Sequence, residues 1–269
     1  MRRSSKGILS PKTAGGEVSG PVPAAPLVPI MSSPTSMPPP IPHEISMLRT
    51  FSSALLAVLC CSLPLLAVDH KLEKVDEAAP KEGLSAEIAA LLSPTGFKVV
   101  RGETRVVCEV WLCKEWPIKE AKVGGEVLYP FQPGQVMGVA RFPRKGSDFR
   151  EQDVPAGLYT LRYGQQPVDG AHVGTSPTRD FLLLTPADKD KSPDIIADFK
   201  ALSKASAQTT GASHPAILSL QRLSDQEPLT IRYQEDKDWW IVRFTGKTRS
   251  GDKTTDQAVE AVLVGHAGE

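Results

Sequence analysis

The sequence predicts an all-β protein, an antiparallel β-sandwich or open barrel with one amphipathic helix. Three observations lead to this prediction. About ten short segments between residues 95 and 269 are rich in β-branched and aromatic residues. Most of these segments are bounded by Gly, Pro or Asp. Helical segments do not alternate regularly with them, which disfavours a parallel α/β sheet. We therefore expect one β-sandwich domain over 95–269.

The chain before this domain, residues 68–94, is predicted to be a flexible lead followed by a short helix. Charged and small residues alternate over 68–82, and a helix over 84–92 has Ser85 as its N-cap and ends at Ser93 and Pro94. The first two strands, 96–102 and 104–113, then pair most simply as a hairpin, because Gly102 and Glu103 supply a turn between them.

The remaining strands are predicted from alternating or continuous apolar segments. They cover 126–131, 134–142, 157–164, 179–186, 216–220, 229–234, 239–246 and 258–265. One helix interrupts them. Ser192 is its predicted N-cap, Pro193 its first residue, and one apolar stripe follows, formed by Ile195, Ile196, Phe199 and Leu202.

Residues 47–67 have the three parts of a secretory signal peptide: Arg49 near the start, an apolar stretch, and Ala67 as the expected cleavage site. Ten prolines fall in the first 46 residues, which are predicted to be a disordered Pro-rich arm unless translation starts at Met47. The apolar stretch is too short to span a bilayer, so no stable membrane span is expected after signal cleavage. The predicted destination is periplasmic or extracellular.

The charge balance excludes strongly basic classes of protein. The whole chain has 31 basic and 31 acidic residues, and removal of residues 1–67 leaves 26 basic and 29 acidic ones. A mildly acidic protein of this kind has no electrostatic attraction for nucleic acid or anionic lipid. The expected partner is instead an unknown small molecule, glycan or protein.

The densest polar stretch, residues 165–181, is a long loop between two strands and the first candidate for a binding site. Its candidate ligand-binding residues are Asp169, His172, Thr175, Arg179 and Asp180. A histidine with two carboxylates can hold a metal or act as a base. The simpler alternative is an Asp-Gly turn with Arg179 and Asp180 paired at the strand start. No metal site and no cofactor are predicted, since no metal-binding spacing is present.

Trp239 and Trp240 are adjacent in a strand and must point to opposite faces. Trp240 shares its face with Val242 and Phe244, and we assign that face to the core. Trp239 is a candidate ligand-binding residue, because an exposed indole can stack on a sugar ring or anchor a partner. The alternative is a Trp239 covered by the helix or by a loop.

Cys108 and Cys113 are the cysteines that remain after signal cleavage. Export permits a disulfide between them, but five residues of extended strand span roughly 16 Å, while a disulfide needs Cα atoms within about 7 Å. A bridge therefore requires the strand to end near Trp111. The alternative places Cys108 in the core.

The segment DVPAGLYTLRYG, residues 153–164, resembles the strand entry "Pro-Ala-Gly, any residue, Tyr, any residue, Leu" of several secreted β-sandwich modules. These modules include transthyretin-like domains and a domain family of unknown function in periplasmic bacterial proteins. Residues 125–188 also resemble secreted proteins of environmental bacteria. The resemblance implies a β-sandwich and export, and it brings no catalytic residue with it.

These observations predict an exported, non-catalytic binding or structural module. The common catalytic signatures, such as a nucleophile elbow or a phosphate-binding Gly-rich loop, are missing. The alternative is a hydrolase or metal-dependent enzyme that uses Asp169, His172 and Asp180.

Overall fold

Strands make up 47% of the structure. The computed structural model describes residues 69–119, 127–167 and 178–268. All of these residues belong to one compact unit. The all-β prediction is confirmed, in the form of a large, curled, antiparallel-rich sheet that forms a half-barrel.

Thirteen strands and two α-helices lie within the described residues. The strands are β1 (His70–Val75), β2 (Gly96–Arg101), β3 (Arg105–Leu112), β4 (Trp116–Pro117), β5 (Val136–Phe142), β6 (Gly146–Ser147), β7 (Asp153–Val154), β8 (Gly157–Gln165), β9 (Asp180–Pro186), β10 (Ile217–Gln221), β11 (Thr230–Gln234), β12 (Trp239–Ser250) and β13 (Lys253–Val264). The helices are α1 (Ala86–Leu91) and α2 (Phe199–Ala207), and a 3₁₀ turn covers Glu235–Lys237.

The main sheet follows the order β1-β2-β3-β5-β8-β9-β10-β13-β12-β11, with β4 paired in parallel to β12. Neighbours along this order are antiparallel, and β6 and β7 form a separate small hairpin. The curl brings the two ends of the sheet together. The ring of His70 on β1 lies 4.7 Å from the ring of Trp240 on β12, which in turn lies 4.8 Å from Tyr233 on β11.

Strands near the middle of the sheet are buried on both faces, as their continuous apolar sequences indicate. In β9, Leu182 and Leu184 belong to the main core cluster. Phe181 and Leu183 alternate with them and belong to a second cluster on the opposite face. The second cluster consists of Phe149, Phe181, Leu183, Leu202, Ile217, Trp239, Ile241 and Val262. Helix α2 supplies Leu202 and so covers part of this face.

Several predicted elements are confirmed at close to their predicted positions. Helix α1 has Ser85 as its N-cap, whose Oγ accepts from the Ile88 amide at 3.2 Å. Strands β2 and β3 form the predicted hairpin. Gly102 in its turn has φ +61°, a conformation that glycine adopts without steric cost.

The predicted flexible lead over 68–82 is wrong for its first part, which forms β1. This strand pairs with β2 from His70 opposite Arg101 to Val75 opposite Gly96. Leu72 and Val75 pack against the main core, while Glu73 pairs with Lys98 across the strands at 3.0 Å. Leu72 and Val75 are three residues apart and so lie on opposite faces of β1, a spacing without the period-two alternation that predicts a strand.

The predicted helix start at Ser192 and Pro193 is also wrong, because α2 begins at Phe199 with Asp198 as its N-cap. The preceding chain is held in a non-helical path by contacts from elsewhere. Arg162 donates to the carbonyl oxygens of Ser192 and Asp194, and the Ile196 amide donates to the Gly134 oxygen at 3.3 Å. These distant partners take the backbone groups that a helix would use.

The predicted strand over 126–131 is not formed in its described part, where the chain over 128–131 is irregular. The Leu128 amide donates to the Asp180 carboxylate at 3.0 Å. The side chains of Tyr129 and Phe131 fill the main core instead. The apolar residues over 128–131 thus fill the core without forming a strand.

Candidate functional site

A cleft of about 260 Å³ lies between α2, the adjoining ends of β8 and β9, and the chain that leads into β10. We call it the α2 cleft. Its walls are formed by Arg150, Gly164, Gln165, Gln166, Pro167, Phe181, Leu183, Phe199, Lys200, Ser203, Ser213, His214, Pro215 and Ile217. It combines an apolar floor with polar groups at its margin, the usual composition of a small-ligand site.

The floor is built by the side of the sheet that faces away from the main core. Phe181, Leu183 and Ile217 are neighbours on β9 and β10, where Ile217 pairs with Leu183. Gly164 on β8 has no side chain, and a Cβ there would lie 2.3 Å from Leu183 Cδ1. The glycine therefore lets Leu183 pack across β8. Phe199, at the start of α2, closes the floor and keeps 36% of its surface exposed.

The margin of the cleft carries basic groups. Arg150, Lys200 and His214 line it, and no carboxylate is among the lining residues that the structure describes. Within the described residues, none of these three side chains forms an ion pair. The charges of Arg150 and Lys200 are therefore available to a molecule in the cleft.

A buried aspartate fixes the loop that carries Arg150. Asp148 Oδ1 accepts from the amides of Arg150 at 2.9 Å and Gln152 at 2.8 Å, and Oδ2 accepts from the Ile217 amide at 3.0 Å. Burial raises the pKa of Asp148, and these hydrogen bonds oppose the rise. The carboxyl group thereby ties the Arg150 loop to the first residue of β10, which forms part of the cleft floor.

Ser203 contributes a buried hydroxyl without a hydrogen-bond partner to the cleft wall. The hydroxyls of Ser206 and Thr209, at the end of this helix, instead form hydrogen bonds with backbone oxygens of the sheet and its approach. Ser206 Oγ lies 2.8 Å from the Leu184 oxygen and 3.0 Å from the Ala216 oxygen, and Thr209 Oγ1 donates to Leu184 at 2.8 Å. These two residues attach the end of α2 to the sheet. Ser203 has no such structural bond, and a buried polar group without a partner calls for an explanation.

The predicted loop over 165–181 meets the cleft at its two described ends. Gln165, Gln166 and Pro167 line the cleft at one end and Phe181 at the other. Arg179 donates to the Gln166 oxygen through Nε at 3.0 Å and Nη2 at 2.7 Å, and so holds the base of the loop together.

Three of the predicted site residues in this loop, Asp169, His172 and Thr175, lie outside the described residues. Asp180, in contrast, is buried. Its carboxylate accepts from the Tyr163 hydroxyl and the Leu128 amide, and burial raises its pKa against the effect of these bonds. Asp180 therefore ties β8 to the irregular segment that fills the core. The enzymatic alternative, which needs Asp169, His172 and Asp180 together, stays a prediction.

The prediction that Trp239 is partly exposed is wrong, because only 3% of it is exposed. Its indole nitrogen donates to the His266 oxygen at 2.7 Å, and its ring lies edge to face with Phe149 at 5.2 Å. The residues around His266 and the loop of Phe149 thus cover the indole, which agrees with the alternative of a Trp239 covered by a loop. Val242 and Phe244 lie in the main core as predicted, and Trp240 is buried as well.

The disulfide alternative for Cys108 and Cys113 is contradicted, since both are buried free cysteines. Cys108 lies within β3. Cys113 follows the end of that strand, where its backbone forms an isolated antiparallel β-bridge with Leu92. The strand continues through Trp111 to Leu112, so the early strand end that a bridge requires is not formed. Burial raises the pKa of both thiols to about 12.

Sequence reasoning missed the cleft residues on α2 and before β10. Lys200 and Ser203 are three residues apart and share a helix face, but the sequence does not show what that face meets. His214 is exposed and lies among the lining residues of the cleft. In the described parts of the chain, no group of three or more metal-binding side chains is found.

Comparison with protein-family models, with curated proteins and with solved structures finds no match to this chain. The resemblance of residues 153–164 to secreted β-sandwich modules therefore stays a prediction. Neither described helix is long and apolar enough to cross a membrane.

Proposed function

We propose that this chain is an exported, non-catalytic binding protein whose small-molecule ligand occupies the α2 cleft. The observation that carries the proposal is the buried Ser203 hydroxyl, which belongs to a residue of the cleft wall and has no hydrogen-bond partner. A bound polar atom would satisfy it, and the energetic cost of burying it unpaired, roughly 1–3 kcal/mol, would then be recovered on binding.

The construction of the cleft supports this proposal. Its floor is rigid, because Leu183 and Ile217 are central residues of a sheet buried on both faces. Its helical wall is attached to that sheet by Ser206 and Thr209. A pre-formed wall and floor reduce the ordering that a ligand must induce on binding.

Export is part of the same proposal and rests on residues 47–67. Their positive start, apolar middle and small residue at position 67 are typical of a cleaved signal peptide. N-terminal sequencing of the protein recovered from the culture medium or the periplasm tests this part. A chain that begins near residue 68 supports export, and a chain that retains residues 47–67 in the cytoplasm contradicts it.

Methyl-labelled full-length protein tests the ligand site. A library of small polar-aromatic fragments is added, and the methyl resonances of Leu183 and Ile217 are followed by NMR. We expect fragments that shift both resonances, because both residues line the cleft. Fragments that bind with no shift at either residue would overturn the proposed site, as would a library without any hit at Leu183 and Ile217.

A pair of substitutions in α2 provides the matched control. Ser203→Trp fills the cleft, whereas Ala201→Trp adds the same ring at an exposed position of the same helix. We expect Ser203→Trp alone to abolish binding of the hits. Equal binding to both variants would contradict the proposal, and the wild-type methyl shifts decide the question if Ser203→Trp does not fold.

A further inference from the structure

We propose that the ligand of the α2 cleft is a small monocarboxylate, an apolar ring or short chain with one anionic end. This inference rests on the proposed function and adds the chemical class of the ligand. Three features carry it: the charge of the cleft margin, the apolar floor, and a hydroxyl without a partner in the cleft wall.

Over the part of the chain that the structure describes, the charge at the margin is of one sign. Arg150 comes from the loop before β7 and Lys200 from the first turn of α2, and both side chains line the cleft. Within the described residues neither forms an ion pair, and no lining residue carries a carboxylate. An anion placed there gains two favourable partners, whereas a cation is repelled by both.

Several basic side chains in and beside the sheet are paired with carboxylates, unlike Arg150 and Lys200. Arg162, Arg141 and Arg232 each pair with a carboxylate in or beside the sheet. Exposed lysines also pair, as Lys145 does with Asp153 at 2.7 Å. Arg150 and Lys200, in contrast to these paired side chains, line one cleft without a carboxylate partner among the described residues.

The floor selects an apolar body. Phe181, Leu183, Phe199 and Ile217 offer contact to a ring or a short chain, and a volume of about 260 Å³ holds one such group. Cavities of this order accept molecules the size of benzene. A large polar ligand would leave its polar groups without partners against this floor.

Ser203 completes the donor set. Its buried hydroxyl lies in the wall of the same cleft and has no acceptor among the described residues. A carboxylate oxygen is such an acceptor, and a hydrogen bond to a charged acceptor is stronger than one to a neutral oxygen. An ammonium group only donates hydrogen bonds, so the Ser203 hydroxyl would have to accept from it. Its positive charge would also lie close to the positive charges of Arg150 and Lys200.

The test compares three probes that share a phenyl ring and differ in the end group: phenylacetate, phenylacetamide and 2-phenylethylamine. Their affinities for the full-length protein are measured at neutral pH and low salt from the methyl shifts of Leu183 and Ile217. We expect phenylacetate to bind about tenfold more tightly than the amide, and the amine to bind most weakly.

Charge-removing variants locate the effect. Arg150→Gln and Lys200→Gln are expected to lower the affinity for phenylacetate by about fivefold each and to leave phenylacetamide binding unchanged. Lys204→Gln is the control, because Lys204 is exposed on the same helix and does not line the cleft. A loss equal to that of the control would overturn the inference.

The outcomes separate the ligand class from the proposed function. Equal affinities for the carboxylate and the amide, or tighter binding of the amine, overturn the carboxylate inference and leave the cleft as a ligand site. Failure of all three probes, while other neutral fragments still shift Leu183 and Ile217, also overturns it. Only if no compound of any charge shifts these residues does the proposed function itself fail.

Discussion

The guanidinium of Arg162 and the carboxylate of Asp190 form a buried ion pair with two hydrogen bonds, Nε to Oδ2 at 2.7 Å and Nη2 to Oδ1 at 2.8 Å. The exposed fractions of the two side chains are 0% and 5%. Arg162 also donates to the backbone oxygens of Gly134, Ser192 and Asp194. One side chain on β8 thereby fixes the segment that leads into α2, and with it the helical wall of the cleft.

Replacement of Arg162 is expected to be among the most destabilising single changes. Arg162→Ala leaves the Asp190 carboxylate buried without its partner, and breaking a buried pair in this way costs about 3–5 kcal/mol. Chemical denaturation measures the change in the free energy of unfolding. Lys247→Ala is the control, because its ion pair with Asp256 at 2.8 Å is exposed and is worth at most about 1 kcal/mol. Equal losses in the two variants would contradict this account.

Glu260 is expected to make stability depend on acidic pH. Burial raises the pKa of this carboxyl, but hydrogen bonds from Ser224 and Arg232 outweigh it and hold the pKa below its usual value. A lowered pKa in the folded state stabilises the protein at pH values above about 4.3, the ordinary value for glutamate. This contribution is lost as the pH falls from there through the folded-state pKa.

A comparison with Glu260→Gln isolates this effect from those of Asp148 and Asp180. The raised pKa values of these two residues make stability increase on acidification, whereas the lowered pKa of Glu260 makes it decrease. The variant is expected to be less stable than the wild type at neutral pH, because the Arg232 charge loses its partner. The difference in unfolding free energy should narrow as the pH falls below about 4. A difference that stays constant, or that widens on acidification, would be incompatible with a lowered pKa.

Cys108 and Cys113 are expected to be unreactive free thiols in the folded protein. Burial raises both pKa values to about 12, so the reactive thiolate is scarce at neutral pH. Trypsin releases both residues in one peptide, 106–114, because Arg105 and Lys114 flank it. Iodoacetamide added before unfolding should leave this peptide unlabelled, and added after unfolding it should label both cysteines. A peptide that resists labelling in denaturant until it is reduced would reveal a disulfide.

Trp239 is expected to stabilise the second cluster rather than to bind a partner. Trp239→Ala removes a side chain that is 97% buried against Phe149 and the chain end, and such a change costs about 3–5 kcal/mol. Leu223→Ala, at a position 47% exposed, is the control and should change stability by roughly 0.5 kcal/mol or less. Thermal or chemical denaturation checks both, and a harmless Trp239→Ala would show that the indole is not part of the core.

The sequence predicts the strands well because apolar periodicity is a local property. Strands β8 and β9 lie where the patterns place them, and the alternation of Trp239 with Trp240 assigns the two rings to opposite faces. Strands β12 and β13 include their predicted apolar segments but also extend into the polar stretch over 247–257, which the patterns do not predict as strand. What it does not predict depends on distant partners. Helix α2 begins later than predicted because Arg162, thirty residues earlier in the chain, donates a hydrogen bond to the backbone oxygen of Ser192. Strand β1 forms because β2 offers an open edge.

The cleft is missed for the same reason. Arg150, Lys200 and His214 come from three separate loops or helices, and only the adjacency of β8, β9 and β10 brings them together. The candidate residues in the loop over 165–181, in contrast, are close together in the sequence. Of these, Arg179 and Asp180 hold the scaffold beside the cleft rather than line it.

A crystal structure of the full-length protein grown with phenylacetate tests the central claim most directly. We expect the phenyl ring against Leu183 and Ile217, with a carboxylate oxygen about 3 Å from Ser203 Oγ and the same group facing Arg150 and Lys200. Phenylacetate bound elsewhere beside an empty α2 cleft, or bound in the cleft with its carboxylate turned away from all three side chains, would contradict the account.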